Sequence, residues 1–132
     1  MRVLIVQSNA NLGELWQRHL ERLGAEVVCA VSEAEAISAL EKSEFEVIVL
    51  DLVLSDGSAL SVADVAYFRQ PRANVIFVTD TTFFSDGSIF KHSANARAFI
   101  QSTTPPQDLA AIVEHYGQII PADGALESLG SG

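Results

Sequence analysis

Short apolar runs alternate along this chain with stretches of helical periodicity, and that alternation limits the folds open to it. There are five such runs, each three to five residues long: Val3–Val6, Val27–Val31, Val47–Leu50, Val75–Val78 and Ala98–Ile100. All but the last are rich in Val and Ile, which is typical of strands buried on both faces of a sheet. No run approaches the ~18–20 apolar residues that a membrane-spanning helix needs.

The stretches between the first three runs carry helix signals. Apolar residues recur at helical spacing from Leu12 to Leu23, and Trp16 lies on this apolar stripe, where we expect it in the core. Gly24 follows and is expected to end the helix, since glycine accepts the backbone conformation of a helix C-terminus. Ser32 followed by Glu35 is a capping box, which predicts the start of a second helix.

Two further helices are predicted in the second half of the chain. Ser58 begins one that ends before Pro71, with an expected buried stripe of Leu60, Val62, Val65 and Phe68. The segment 81–95 mixes phenylalanines with polar residues and a glycine, so any helix there is expected to be short. A last helix follows Pro105-Pro106 and ends at Gly117.

Alternating strands and helices predict right-handed crossovers that build a parallel sheet covered on both sides. The fold class is therefore α/β. It is a doubly wound, five-stranded parallel sheet, and five strands with five helices fit the flavodoxin-like order 2-1-3-4-5. The length of 132 residues suits a single domain, expected over residues 1–118. Residues 119–132 are rich in turn formers and are predicted to be a flexible tail or the start of a linker.

The net charge argues against polyanions as partners of this segment, and the cysteine content suggests a reducing compartment. Eight basic residues against seventeen acidic ones give a net charge of −9. Binding a polyanion depends on Lys and Arg, so this segment is expected to bind neither nucleic acid nor an anionic membrane surface. The lone Cys29 cannot form an internal disulfide, and the N-terminus lacks a signal-peptide pattern. We therefore expect a cytoplasmic protein.

In an open parallel sheet, ligands and reactions collect at the carboxyl ends of the central strands. The candidate site therefore consists of the residues that directly follow the first, third, fourth and fifth predicted strands. They are Gln7-Ser8-Asn9, Asp51, Thr79-Asp80 and Gln101-Ser102. These positions combine the carboxylates of Asp51 and Asp80 with amides and hydroxyls.

The segment that begins at Asp51 resembles a known family. Residues 51–60, DLVLSDGSAL, are similar to the D-L-x-L-P-D-G-S-G-L segment of the receiver domains of bacterial two-component response regulators. Thr79 matches the family's Thr/Ser position and Phe99 its aromatic switch position, and the resemblance runs from Met1 to about Tyr116. It implies that Asp51 is the phosphoacceptor and that the Thr79 hydroxyl bonds to the phosphoryl group.

The chain departs from the family pattern at residues that would handle the phosphoryl group. Where the family has adjacent acidic residues that hold Mg²⁺, this chain has Gln7 and Ser8, which bring no charge. Ser102 replaces the family's Lys after the fifth strand. The residue after Thr79, normally small, is Asp80, either a further charge in the pocket or a loop or helix-capping carboxylate. The resemblance therefore implies a degenerate pseudo-receiver with no catalytic residues, no resident metal and no cofactor.

The leading functional hypothesis is a non-enzymatic signalling domain that acts by phosphorylation-independent protein–protein interaction. Its expected interaction face is formed by the fourth and fifth strands and the segment between them, with Phe83, Phe84 and Phe99 as contact residues. Two adjacent aromatic residues on a helix cannot both face inward, which favours exposure of one of them. The expected partner is a histidine kinase, another response regulator or an output domain, with a homodimer as a further option.

Two other hypotheses stay open at this point. The alternative is a functional receiver phosphorylated on Asp51 by a histidine kinase, with Mg²⁺ in an unusual site to which Asp80 or Asp56 supplies a carboxylate. A third is a binder of an anion or metabolite in a polar pocket made by Gln7, Ser8, Thr79 and Ser102. Purely structural roles also exist, since a strand-end Asp can accept backbone N–H bonds and Thr is a common strand residue.

Overall fold

The computed structural model describes residues 1–79 and 96–118. Its strands form one parallel sheet of five strands in the order β2-β1-β3-β4-β5, which confirms the predicted order. The strands are β1 (Arg2–Val6), β2 (Glu26–Ala30), β3 (Val47–Asp51), β4 (Asn74–Thr79) and β5 (Ala96–Gln101). Each strand contains or overlaps one of the predicted apolar runs. Removing the apolar surface of such segments from water stabilises the fold, which favours their burial in the sheet.

Among the described residues four helices cover the sheet: α1 (Ala10–Arg22), α2 (Glu33–Lys42), α3 (Ala59–Arg69) and α4 (Pro106–Gly117). The starts of α2 and α3 follow the predicted caps. The Ser32 hydroxyl accepts the Glu35 backbone N–H at 3.2 Å, and the Ser58 hydroxyl accepts the Ser61 N–H at 3.3 Å. Within the described residues no helix combines the length and apolar character needed to cross a bilayer. The predicted short helix within 81–95 and the tail 119–132 lie outside the described residues.

The sheet divides the buried side chains into two clusters. One cluster lies between the sheet and helices α2 and α3 and includes Leu50 and Phe77. The other lies against α1 and α4 and includes Trp16, which is 1% exposed, as its place on the apolar stripe predicted. Neighbouring residues of β1 alternate between the clusters, with Leu4 in the first and Ile5 in the second. This is why the central strands are apolar at every position and not only at alternate ones.

The prediction that the second run is buried on both faces was wrong. In β2, Val28 is 43% exposed and Cys29 is also exposed, whereas β1, β3 and β4 are almost wholly buried. The reason is position: β2 lies at the edge of the sheet and has only β1 as a neighbour. Partial burial of the thiol raises the pKa of Cys29, and the carboxylates of Glu21 and Glu14 raise it further. At neutral pH Cys29 is thus a protonated, weakly nucleophilic thiol.

The prediction for the buried stripe of α3 was also wrong in part. Val62 is fully buried as expected, but Phe68 is 86% exposed and Leu60 is 45% exposed. The face of α3 that packs on the sheet is made of small residues instead, namely Ala59, Val62, Ala63 and Ala66. Small side chains let the helix approach the sheet closely, and this turns the large apolar residues outward.

Candidate functional site

The parallel register brings the predicted site residues to one edge of the sheet. Asp51, the last residue of β3, lies beside Val78 of β4, and Thr79 lies beside Gln101 of β5. The Ser102 backbone N–H donates to the Thr79 carbonyl oxygen at 2.8 Å, which ties the residue after β5 to the end of β4. Thr79 is buried, while Asp51 and Ser102 are half-buried. Polar side chains are therefore grouped at this edge of the sheet, with Asp51 on the central strand β3.

Each carboxylate oxygen of Asp51 accepts a hydrogen bond from within the chain. The Val53 backbone N–H donates to Asp51 Oδ1 at 2.8 Å. The Gln7 side chain donates through Nε2 to Asp51 Oδ2 at 2.7 Å, a contact between residues 44 positions apart in the sequence. Hydrogen bonds to an ionised carboxylate are the stronger kind, about 1.5–3 kcal/mol each. The pair fixes the carboxylate in one orientation.

The orientation of the Gln7 amide follows from its second hydrogen bond. Gln7 is only 5% exposed, and its Oε1 accepts the Asn9 backbone N–H at 3.0 Å. Because Oε1 is bound to a donor, Nε2 is the atom that faces the carboxylate. Asn9 is itself fixed as the N-cap of α1, since its Oδ1 accepts the Leu12 N–H at 3.2 Å. The first turn of α1 therefore positions the amide against Asp51.

The loop after β3 is held on the Asp51 side by Ser8. The Ser8 hydroxyl accepts the Ser55 backbone N–H at 2.8 Å. One of the two lone pairs of its oxygen is therefore used in a contact within the chain. In addition, the Leu52 N–H donates to the Val78 carbonyl at 2.8 Å. Gln7 and Ser8 thus both have structural partners in and around the Asp51 loop.

Glu33, the first residue of α2, holds the far end of the same loop. Its backbone N–H donates to the Asp56 carbonyl at 3.0 Å, and its Oε1 accepts the Ser58 N–H at 2.7 Å. Between them Gly57 adopts a φ of +107°, and a Cβ on Gly57 would collide with the Glu33 side chain. Asp56 lines a groove of about 510 Å³ beside α2. This is where the structure places one of the two predicted substitute carboxylates, and the other, Asp80, lies outside the described residues.

The residues at this edge do not fit a bound Mg²⁺ ion. Mg²⁺ takes oxygen ligands and prefers carboxylates, whereas Asp51 Oδ2 faces an N–H donor from Gln7. The Ser8 oxygen already accepts a backbone N–H. Across residues 1–79 and 96–118, no three or more His, Cys, Asp or Glu side chains group together in a way that could hold a metal. The Gln7 group that faces Asp51 Oδ2 is a neutral N–H donor, which cannot serve as a metal ligand.

The predicted interaction face is only partly within the described residues. Phe99 is half-buried, and its ring stacks on that of the buried Phe77 with centroids 5.0 Å apart and planes at 17°. One part of Phe99 therefore contributes to the interior on the α2–α3 side, and the remainder is accessible. Phe83 and Phe84 lie outside the described residues.

Sequence reasoning treated Gln7 as a lost carboxylate and missed its bond to Asp51. The strand order places β1 beside β3, which was a sufficient signal that residues 7 and 51 are close. Glu33 was missed altogether, although a glycine in a loop that follows a strand-end Asp was a signal that something approaches it closely. Both contacts are made by polar side chains reaching between loops that are distant in sequence.

Comparison with known proteins shows similarity at the level of structure. No protein-family model matches the chain, and no curated protein matches it in sequence. Among solved structures, a CheY-like response regulator receiver domain protein from Methanospirillum hungatei JF-1 has a TM-score of 0.80 at 24% identity, over 88% of this chain and 92% of that one. The fold is thus the one found in CheY-like receiver domains.

Two further structural neighbours widen the range of proteins with this fold. A response regulator from Burkholderia pseudomallei with a phosphorylated aspartic acid, calcium ion and citrate has a TM-score of 0.77 at 24% identity, over 96% of this chain and 74% of that one. An adenylate cyclase structure from Rhodopirellula baltica has a TM-score of 0.83 at 20% identity, over 98% and 96% of the two chains.

The Gln7–Asp51 bond makes a testable contribution to stability. We expect Gln7→Leu to lower the free energy of unfolding by about 1–3 kcal/mol, because it removes a buried hydrogen bond to a carboxylate. The matched control is Gln17→Leu, since Gln17 donates to Glu21 at 3.1 Å on the exposed surface of α1. We expect the control to change stability by less than about 0.5 kcal/mol. Urea denaturation measures both, and equal losses in the two variants would show that the buried bond contributes nothing specific.

Proposed function

We propose that this chain is a pseudo-receiver: a receiver-like domain that works in cytoplasmic signal transduction by protein–protein interaction without phosphorylation and without enzymatic activity. The observation that carries the proposal is the 2.7 Å hydrogen bond from Gln7 Nε2 to Asp51 Oδ2. In the receiver family, to which the segment around Asp51 is similar, the phosphoacceptor carboxylate shares its pocket with a cation. Here a neutral amide donates to it, held in place by the Asn9 N–H.

Charge supports the same proposal. Phosphoryl transfer gains almost all of its catalysis from positioning and from neutralising the charge on the transferred group. Ser102 stands where the family has Lys, and Gln7 and Ser8 stand where it has acidic Mg²⁺ ligands. Neither hydroxyls nor amides supply charge. The pocket retains Asp51 and Thr79 but lacks the charged groups that make the reaction fast.

The interaction face is proposed to lie around Phe99 and to include Phe83 and Phe84. The ring of Phe99 stacks on the ring of Phe77, which restrains it. The accessible part of the Phe99 ring is therefore held in a fixed orientation. Such a face suits a signalling protein, such as a histidine kinase, another response regulator or an output domain, or a second copy of this chain. A net charge of −9 argues against nucleic acid as the partner of this segment.

Phosphorylation of the unmodified protein tests the proposal directly. We expect the chain to stay largely unmodified during an incubation with acetyl phosphate and Mg²⁺ that fully converts an ordinary receiver, because the cation and Lys positions are neutral. Intact-mass measurement gives the result, with Asp51→Asn as the negative control. In parallel, an NMR titration should show no saturable submillimolar Mg²⁺ shift at the amides near Asp51. Rapid gain of one phosphoryl group that Asp51→Asn abolishes would reverse the proposal.

The alternative is a functional receiver phosphorylated on Asp51 by a histidine kinase. One observation favours it: Asp51 is half-buried at the carboxyl end of β3, one strand away from Thr79, on a fold shared with a regulator that carries a phosphorylated aspartic acid. Under this alternative Mg²⁺ would need a further carboxylate from Asp80 or Asp56. The same phosphorylation experiment separates the two functions.

A further inference from the structure

Helix α3 has an apolar outer surface that is exposed among the described residues. Only three of its eleven residues are polar, and a helix that is apolar all round is normally buried all round. Yet Phe68 is 86% exposed, Tyr67 is 49% exposed and Leu60 is 45% exposed. Large apolar side chains exposed together on one helix mark an interaction site more often than singly scattered ones do.

These side chains share one face of the helix with an acidic residue. Leu60, Asp64, Tyr67 and Phe68 fall at positions i, i+4, i+7 and i+8, and we call this set the α3 stripe. Residues at that spacing form the ridge that packs against a second helix. The stripe lies to one side of the small residues that contact the sheet, with Tyr67 and Leu60 nearer to them and Phe68 pointing directly away, and all of its side chains are exposed. Its geometry fits a helix as the occupant.

The charge of the stripe specifies that helix further. Asp64 is exposed and lies between Leu60 and the two aromatic residues, so a helix covering the stripe also covers its carboxylate. Burial of an unpaired carboxylate is unfavourable, and a Lys or Arg on the partner removes that cost. The only basic residue of α3, Arg69, pairs with Glu41 of α2 at 3.3 Å. Among the described residues no ion pair neutralises Asp64.

From these observations we propose that the α3 stripe docks a basic amphipathic helix of another protein. Apolar residues of that helix cover Leu60, Tyr67 and Phe68, and a Lys or Arg between them pairs with Asp64. A second copy of this chain fits less well. Antiparallel pairing centred on the stripe brings Asp64 against its own counterpart, and each chain carries a net charge of −9. The proposal concerns a different surface from Phe99 and does not depend on the state of Asp51.

The test uses the full chain and two fluorescein-labelled amphipathic helical peptides, one of Leu and Lys and the other of Leu and Glu. We expect fluorescence anisotropy to show at least tenfold tighter binding of the Lys peptide. Phe68→Ala should weaken that binding at least tenfold, and Asp64→Lys should reverse the preference between the peptides. Circular dichroism checks that each variant folds.

Two matched variants separate the stripe from general acidity. Leu23→Ala removes an apolar side chain that is 45% exposed on the α1 side. Glu21→Lys changes the net charge by the same amount as Asp64→Lys. Both should bind the Lys peptide as the unmodified protein does. The proposal is overturned if these controls weaken binding as much as the stripe variants, if the peptides bind equally or not at all, or if sedimentation shows a homodimer that Phe68→Ala abolishes.

Discussion

If the proposed function is correct, three substitutions should make this chain readily phosphorylatable. The variant combines Gln7→Asp, Ser8→Asp and Ser102→Lys, which places the acidic pair and the Lys of the receiver family at the positions that the resemblance assigns to them. One unit charge ~4 Å away in a medium of effective dielectric constant near 20 contributes roughly 4 kcal/mol. Since ~1.4 kcal/mol is a tenfold change in rate, we expect phosphorylation of Asp51 by acetyl phosphate to accelerate by roughly a hundredfold or more.

Intact-mass time courses with Mg²⁺ measure this gain. The control is the same triple variant with Asp51→Asn, which should gain no phosphoryl group. Without Mg²⁺ the new carboxylates repel Asp51 in place of the Gln7 hydrogen bond, so the variant should unfold more easily than the unmodified chain, and Mg²⁺ should restore its stability. A folded, Mg²⁺-binding triple variant that stays as slow as the original would show that something other than these charges limits the reaction.

Partner binding should survive the loss of the Asp51 carboxylate but not the loss of the aromatic face. We expect Asp51→Asn to leave binding within about twofold, because under the proposed function Asp51 is not phosphorylated and supplies no input. Phe84→Ala and Phe99→Leu should each weaken it by roughly thirtyfold, since truncating an aromatic hot spot costs ~2 kcal/mol or more. Leu is chosen at position 99 because it keeps apolar volume against Phe77 while removing the accessible ring.

Pull-down with the native partner, or complementation in cells that lack the protein, provides the measurement. Leu23→Ala is the control, because Leu23 is an exposed apolar residue on a different side of the molecule. Thermal melts show whether each variant remains folded at the assay temperature. If Asp51→Asn abolished binding while the aromatic variants retained it, the pocket would be the input and the interaction proposal would fail.

Most element boundaries could be predicted because they depend on local periodicity and caps, and the strand order followed from the crossovers that alternating strands and helices require. Gly24 follows α1 at a φ of +88°, and Ser58 caps α3 as its sequence indicated. The exposure of β2 could not be read in the same way. Val27 to Val31 is as apolar as the central runs, and only its place at the edge of the sheet leaves it accessible. Which face of α3 is buried also depends on tertiary packing, because apolar residues surround the helix.

The site could be predicted in location but not in its contacts. Each strand ends within one residue of the end of its apolar run, which placed Gln7, Asp51 and Thr79 at one edge. The direction of the Gln7 amide depends on the Asn9 N–H, and therefore on how α1 begins. Likewise, the loop after Asp51 is held by Glu33, 25 residues before Ser58. Hydrogen bonds between distant loops leave no periodic signal in a sequence.

The division of the interior by the sheet gives this protein a selective optical reporter. Trp16 is the chain's single tryptophan, is 1% exposed and belongs to the cluster on the α1–α4 side. Phe77, Phe99 and α3 lie on the other side. Tryptophan emission is therefore expected to shift when the α1–α4 half loosens and to stay constant when a helix docks on α3. Together with a fluorescent label on α3, Trp16 emission would allow the unfolding rates of the two halves to be measured separately.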